Sequence, residues 1–257
     1  MRHPTAIIDP SAVLHDSVTV GPYSVIGPRV HIGEGTVIDS HVCIGEATQI
    51  GRHNRCLSFS SIGGVPQSHT LEPIGECALH IGDHNVIHEY CTLNRGTKSG
   101  GHITRLGHHN LLMAYTHIAH DCQVGSHAVF VNHATLGGHV IVEDHVVLSA
   151  FVAVRQYCHI GCHAFVTRAS KLTKDVLAYT VVQGNPPKLA GINRVGLLRR
   201  HFEPAVIKQM EQVYKIIFTQ GLSVDESIHA IRELGVSGEW LTPLLNQLVN
   251  SKRGLVR

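Results

Sequence analysis

The 257-residue chain is poor in aromatics, at 5% with one tryptophan, and poor in charge, at 16% with a net charge of +2. It has no polybasic footprint and few platforms for stacking bases, which argues against nucleic acid as a partner. No apolar run approaches the roughly 18 to 20 residues that cross a bilayer. The opening Met1-Arg2-His3-Pro4 lacks the apolar core of a signal peptide. A cytoplasmic protein without a transmembrane segment is expected. The seven cysteines are odd in number and include no Cys-x-x-Cys pair, which argues against a disulfide framework or a zinc ribbon. Hydrophobic residues, at 43%, suffice for a core. What is abundant is histidine, with 22 residues. Their number hints at metal, but number alone does not build a site.

A period of six organises most of the chain. Aliphatic or small apolar residues recur without a slip from Ile8 through Leu14, Val20 and Ile26 to Cys56 and Ile62. They resume at Ile81, Ile87 and Leu93, and again from Leu106 to Leu172. A helix would space apolar residues by three and four, and an ordinary strand would alternate strictly, so neither template fits. A prism of short strands does. Three hexads make one triangular coil of roughly 18 residues, in which each aliphatic side chain points inward and stacks on its equivalent one coil later. Roughly eight such coils are expected over residues 6 to 183. The interruptions, Gly64 to His80 and Gly96 to Arg105, read as loops inserted at 64–80 and 96–105. In solenoids such loops project from one face, often the binding face.

From about Ala190 the period changes. Helical spacing predicts a helix over Glu203 to Phe218, a second opened by the capping box Ser223-Val-Asp-Glu226 and running through Leu234, and a third from Ser237 to Ser251. The expected organisation is a prism over 1–189 and an all-α C-terminal domain over 190–257, with Asn185-Pro186-Pro187 at the junction.

Numbered from the aliphatic residue, nine histidines fall at position four of their hexads: His41, His53, His84, His109, His127, His133, His139, His145 and His163. That is a corner of the coil, where left-handed backbone angles are needed, and histidine is enriched among the non-glycine residues that tolerate them. A file of corner residues does not by itself supply the converging ligands, at roughly 2.0 to 2.1 Å, that zinc requires. No metal is expected. Cys91, Cys122 and Cys158 fill position five and Cys56 an aliphatic slot, as core fillers.

One segment departs from the corner rule. In Met113-Ala-Tyr-Thr-His117-Ile-Ala-His120-Asp121, His117 stands at position six and His120 at position three. Stacking the coils places His120, Gly138 and Gln156 in one column, with Asp121 and His139 in the next. A neutral imidazole there can take a proton from an attacking hydroxyl, and a glycine N–H beside it can stabilise an oxyanion.

These residues carry a resemblance. His117-Ile-Ala-His120-Asp121-Cys122, Asn132-His-Ala-Thr135-Leu136-Gly-Gly138-His139-Val140, Gln156-Tyr157-Cys158, Gln183-Gly-Asn185 and Gly196-Leu-Leu-Arg199-Arg200 resemble the UDP-N-acetylglucosamine acyltransferases nearly end to end. The resemblance implies a left-handed parallel β-helix, a homotrimer with sites between neighbouring prisms, and the first acylation of lipid A synthesis. No cofactor is implied, since the acyl carrier protein thioester is a co-substrate. In the implied mechanism His120, oriented by Asp121, is the general base that deprotonates the sugar 3-hydroxyl, whose oxygen attacks the thioester of a 3-hydroxyacyl chain. Gly138 N–H is the oxyanion donor. His117, His139 and Gln156 contact substrate, while Asn193, Arg199 and Arg200 hold the nucleotide end or meet the acidic carrier. Paired guanidinium groups suit that role because they grip phosphates bidentately.

The sequence also departs from that family. Ser68 and Thr70, in Pro66-Gln67-Ser68-His69-Thr70, stand where the family carries an Asp and a Lys that contact sugar and phosphate. Val195 replaces an acidic residue and Arg155 a histidine, while Phe165 and Arg168 are bulkier than usual near the acyl channel. A diverged relative with an altered acceptor or chain length is therefore expected. Two other readings stand beside it. A γ-class carbonic-anhydrase-like zinc hydrolase would account for the histidines, although Cys122 stands five residues after His117 where that family has His-x4-His. A non-catalytic trimeric scaffold would account for the altered loop.

Overall fold

Each hexad folds into a strand of about two residues, the first outward and the second inward, as in Val25–Ile26, His31–Ile32 and Val37–Ile38. The computed structural model describes residues 1–67 and 75–257. Every coil gives one strand to each of three parallel faces. The first face runs from Ile7–Ile8 to Lys171–Leu172, the second from Val13–Leu14 to His159–Ile160, and the third from Thr19–Val20 to Lys188–Ile192. These faces hold nine, eight and ten strands. The fold is a left-handed parallel β-helix.

Register explains why the period cannot slip. Ile26 pairs with Ile44, Ile44 with Ile62, Ile62 with Leu93, Leu93 with Ile118 and Ile118 with Leu136. This file is fully buried, and each side chain contributes roughly 1.5–3 kcal/mol by leaving water. A polar file locks the same register. Asn85 N donates to Asn54 Oδ1 at 2.8 Å and Asn110 N to Asn85 Oδ1 at 2.9 Å, across separations of 31 and 25 residues. Ala128 N then donates to Asn110 Oδ1 at 2.8 Å across the ordinary 18. The stack therefore continues unbroken past both insertions.

The corner expectation is met. All nine position-four histidines have φ between 53° and 63°. Their rings stack in files. His53, His84, His109, His127, His145 and His163 form one, with centroids 4.6–5.0 Å apart, closed by Tyr179 at 5.5 Å. A second file alternates Tyr23, His41, Phe59, Tyr90, Tyr115, His133 and Phe151.

The interruptions are narrower than the spacing implies, because strands Ser61–Gly64, Ala78–Ile81 and Ile103–Leu106 extend into the expected loops of 64–80 and 96–105. The connections are 65–77 and 95–102. Both leave the first face and return on the second, so both emerge at the same corner.

Beyond the prism, Thr180–Gln183 pairs antiparallel with Lys188–Ile192, so Asn185-Pro186-Pro187 forms the tip of a hairpin. The structure adds a helix that the spacing did not show, α1 (Arg194–Arg199), a six-residue element capped by Asn193. Helices α2 (Pro204–Thr219), α3 (Val224–Glu233) and α4 (Leu241–Asn250) follow. The capping box on Ser223 and Glu226 forms as expected. Helix α4 begins at Leu241 rather than near Ser237. The helices share an apolar cluster with Leu177, Ala178 and Tyr179 at the end of the prism. Gln247 of α4 binds that end, accepting from Ala178 N at 2.8 Å and donating to Val176 O at 2.7 Å. The C-terminal segment closes the last coil through Asp175, which exchanges backbone bonds of 2.9 Å with Gly254 and Val256. No helix among the described residues is long and apolar enough to cross a membrane.

Candidate active site

The corner where both insertions emerge carries the chemistry. Asp121 occupies position four with φ 61°, and its side chain is fully buried. Its Oδ1 accepts from Thr97 N at 2.9 Å, and its Oδ2 accepts from Thr97 Oγ1 at 2.6 Å. His120 Nδ1 lies 2.7 Å from Oδ2. Burial pushes the Asp121 carboxyl up, but the Thr97 hydrogen bonds, His120 and His139 outweigh it and hold the group below the ordinary aspartate range. An ionised carboxylate only accepts, so His120 Nδ1 carries an N–H and, in the neutral ring, Nε2 holds the lone pair. Asp121 N in turn donates to Thr104 Oγ1 at 2.7 Å.

Gly138 makes room for that imidazole. A Cβ on Gly138 would stand 2.5 Å from His120 Cε1, so a larger residue would push the ring away. Its N–H donates to no group among the described residues. His139 meets His120 edge to face, with centroids 5.1 Å apart, and its Nε2 stands 3.8 Å from Asp121 Oδ2. The His139 ring also stacks on Tyr157 at 4.4 Å, over which lies Arg253. His117 Nδ1 is 2.7 Å from Thr92 Oγ1. Burial, then the neighbouring His120, lowers the His117 pKa from the ordinary histidine value. Burial likewise lowers His139, partly opposed by Asp121. Both rings are therefore neutral near pH 7. Gln156 follows one coil beyond Gly138 and is exposed.

The structure thus brings together His117, His120, Asp121, Gly138, His139 and Gln156. It does not bring Asn193, Arg199 and Arg200 to this corner. They line a cavity of about 680 Å³ against the third face, beside the corner it shares with the second, with Phe165, Val195 and His145. Asn193 acts structurally there: its Oδ1 accepts from Gly196 N at 3.1 Å and its Nδ2 donates to His163 O at 2.8 Å. Arg199 is exposed, whereas Arg200 Nη1 reaches His145 Nδ1 at 2.6 Å. Arg155 and Arg168 are exposed. Ser68 and Thr70 lie outside the described residues.

Thr97 and Thr104 escaped the sequence reading. The available signal was the second interruption, since an insertion beside a buried acid has to satisfy it. His120, Asp121 and His139 are the one group among the described residues whose ligand atoms, within 4.8 Å of one another, could hold a metal ion. Asp121 Oδ2 is already shared by Thr97 and His120, so a metal would compete with both bonds.

A hexapeptide prism with an imidazole–carboxylate pair at one corner, beside the Gly138 N–H, places the chain in the class of bacterial hexapeptide transferases. Residues 103–138 match the bacterial transferase hexapeptide family (six repeats), and residues 175–256 match the second domain of UDP-N-acetylglucosamine O-acyltransferase. The acyl-(acyl-carrier-protein)–UDP-N-acetylglucosamine O-acyltransferase of Alkalilimnicola ehrlichii is 48% identical over 99% of this chain and 98% of its own. The Moraxella catarrhalis UDP-N-acetylglucosamine O-acyltransferase structure superposes with a TM-score of 0.96 at 42% identity, covering 100% of this chain and 99% of that one. The Francisella novicida acyltransferase gives 0.96 at 38%, covering 100% and 94%. The chain belongs to the UDP-N-acetylglucosamine O-acyltransferase family.

Proposed function

We propose that the chain transfers a 3-hydroxyacyl group from acyl carrier protein to the 3-hydroxyl of UDP-N-acetylglucosamine or a related UDP-amino sugar, the first step of lipid A synthesis. The observation that carries the mechanism is the 2.7 Å bond from His120 Nδ1 to Asp121, which leaves Nε2 basic. His120 Nε2 removes the hydroxyl proton as the sugar oxygen attacks the thioester carbonyl. Gly138 N–H stabilises the oxyanion of the tetrahedral intermediate. The intermediate collapses by breaking the C–S bond, and the proton passes from His120 to the departing thiol. His117, His139 and Gln156 line the acceptor. Arg199 and Arg200 grip the nucleotide phosphates, and Asn193 shapes that site by capping α1.

The catalytic corner and the arginine cavity occupy different corners of one prism, so one chain does not hold both ends of the substrate. A homotrimer supplies the second half. The third face favours this assembly, because Val86, Leu111 and Val129 form an outward, half-buried apolar row that continues through Val147, Phe165 and Val181 into the arginine cavity. The test pairs two inactive variants. Co-expressed His120→Ala and Arg200→Ala chains should regain activity in mixed trimers with an acyl carrier protein thioester and UDP-N-acetylglucosamine. Absence of recovery would place both halves in one chain, and absence of transfer by the wild type to any UDP-amino sugar would sink the activity itself.

A further inference from the structure

The histidine file at the corner between the second and third faces ends against the arginine cavity. Within the file and among the described residues, His145 is the ring within hydrogen-bond reach of an arginine. Arg200 Nη1 stands 2.6 Å from His145 Nδ1. A guanidinium group only donates, so Nδ1 is the acceptor and the neutral ring carries its proton on Nε2. Burial first, then the adjacent Arg200, holds His145 below the ordinary histidine value, which keeps that lone pair free at neutral pH. The ring cannot swing away, because it is clamped between His127 at 4.8 Å and His163 at 4.6 Å. Arg200 itself grows from the C-cap of a six-residue helix and forms no ion pair among the described residues, so the local backbone alone does not aim its side chain.

We propose that His145 is a positioning residue for the acceptor site: it holds the Arg200 guanidinium toward the cavity, so that the remaining N–H groups meet the phosphates of the UDP-sugar. The inference rests on the reading that Arg200 faces those phosphates. It gives one member of a file of structural corner residues a second task, through the ring-edge nitrogen Nδ1 that the face-to-face stacking leaves available.

The test measures UDP binding, together with KM and kcat for the UDP-sugar, in His145→Phe, His145→Gln, Arg200→Ala and the Phe–Ala double variant. Phenylalanine keeps the stacked ring and removes the acceptor. His145→Phe should weaken UDP binding and raise KM roughly tenfold or more, the scale of a hydrogen bond to a charged group, with kcat within about twofold. His145→Gln offers a carbonyl acceptor and should recover part of the loss. In the Arg200→Ala background, His145→Phe should cost nothing further, because there is no guanidinium left to aim. If Arg200→Ala leaves UDP binding unchanged, the phosphate-site reading fails and the inference with it. If Arg200→Ala weakens binding while His145→Phe does not, or if the two losses simply add, the phosphate site stands and His145 does not position it. Should His145→Phe fail to fold, His145→Gln and His145→Ala decide together: a KM raised by Ala and raised less by Gln supports the acceptor role, and equal KM values for the two overturn it.

Discussion

Two corners of the same prism are built from the same hexad position and do different things. Between the second and third faces, position four holds His53, His84, His109, His127, His145 and His163, each ring stacked on the next. Between the first and second faces, position four holds Asp121, His139 and Tyr157, all with φ near 60°. Backbone geometry does not distinguish them. At the first corner each ring lies against the next ring of the file, and His145 also meets a guanidinium, that of Arg200. At the second, two insertions enter the corner, Thr97 and Thr104 bind Asp121, and Gly138 opens the space into which His120 turns. A repeat becomes a site where an insertion brings a hydrogen-bond partner, Thr97, to a corner and a glycine removes a side chain from it.

The sharpest way to break this contrast is to truncate one histidine from each corner. His120→Ala should lower turnover by roughly 10²- to 10⁴-fold, and it also removes one hydrogen bond to Asp121 and the edge-to-face contact with His139. His127→Ala should keep turnover within about twofold and cost roughly 1–3 kcal/mol of stability, the worth of the two stacked pairs it makes with His109 and His145. Turnover and thermal unfolding measured on both variants check this, and a catalytic loss in His127→Ala would erase the distinction. Gly138→Ala comes next. Its Cβ would overlap the His120 ring, so a fall in kcat of about 10²-fold is expected from misplacement of the base, with UDP affinity retained.

Much of this contrast was legible in the sequence. The six-residue period fixed the three faces, position four gave the corners, and the columns placed His120 beside Gly138 and Asp121 beside His139. The period could say nothing of residues outside it. Thr97 lies in an insertion, and its contact with Asp121 depends on how that insertion folds back. Helix α1 is too short to establish a periodicity. The location of Arg199 and Arg200 at another corner was hidden because the columns of the prism stop where the helices begin. The trimer implied by the resemblance gives that separation a purpose, but no single-chain spacing could reveal it.

Thr97→Val tests the insertion's share. It removes the 2.6 Å bond to Asp121 Oδ2 and leaves the backbone bond to Oδ1. A hydrogen bond to a charged group contributes roughly 1.5–3 kcal/mol, so the variant should lose stability on that scale and turn over more slowly. The sign of the pH dependence follows from the depressed Asp121 value. The stabilisation is full above the unfolded aspartate value of about 3.9 and is lost as pH falls through the lower folded value. The Tm gap between wild type and Thr97→Val should therefore be widest near neutrality and close in acid, as unfolding curves from pH 7 to 3 will show.

The smallest effect concerns the far end of the histidine file. His163 is pushed down to about 4, first by burial and then by His145 and Arg200, with Asp144 opposing. Its Nδ1 is buried without a hydrogen-bond partner, so the ring contributes as a neutral plane between His145 and Tyr179. A folded value below the unfolded one, about 6.5, means that the unfolded chain binds the proton first. Stability from His163 is thus full above about pH 6.5 and declines as pH falls toward about 4. His163→Phe preserves the ring and removes the titration. Its Tm should match wild type within a few degrees at pH 7.5 and exceed it increasingly down to pH 5, a shift of a few degrees at most. A constant difference across that range would mean that this ring does not titrate on unfolding, and the stacked corner would then owe its acid sensitivity to other members of the file.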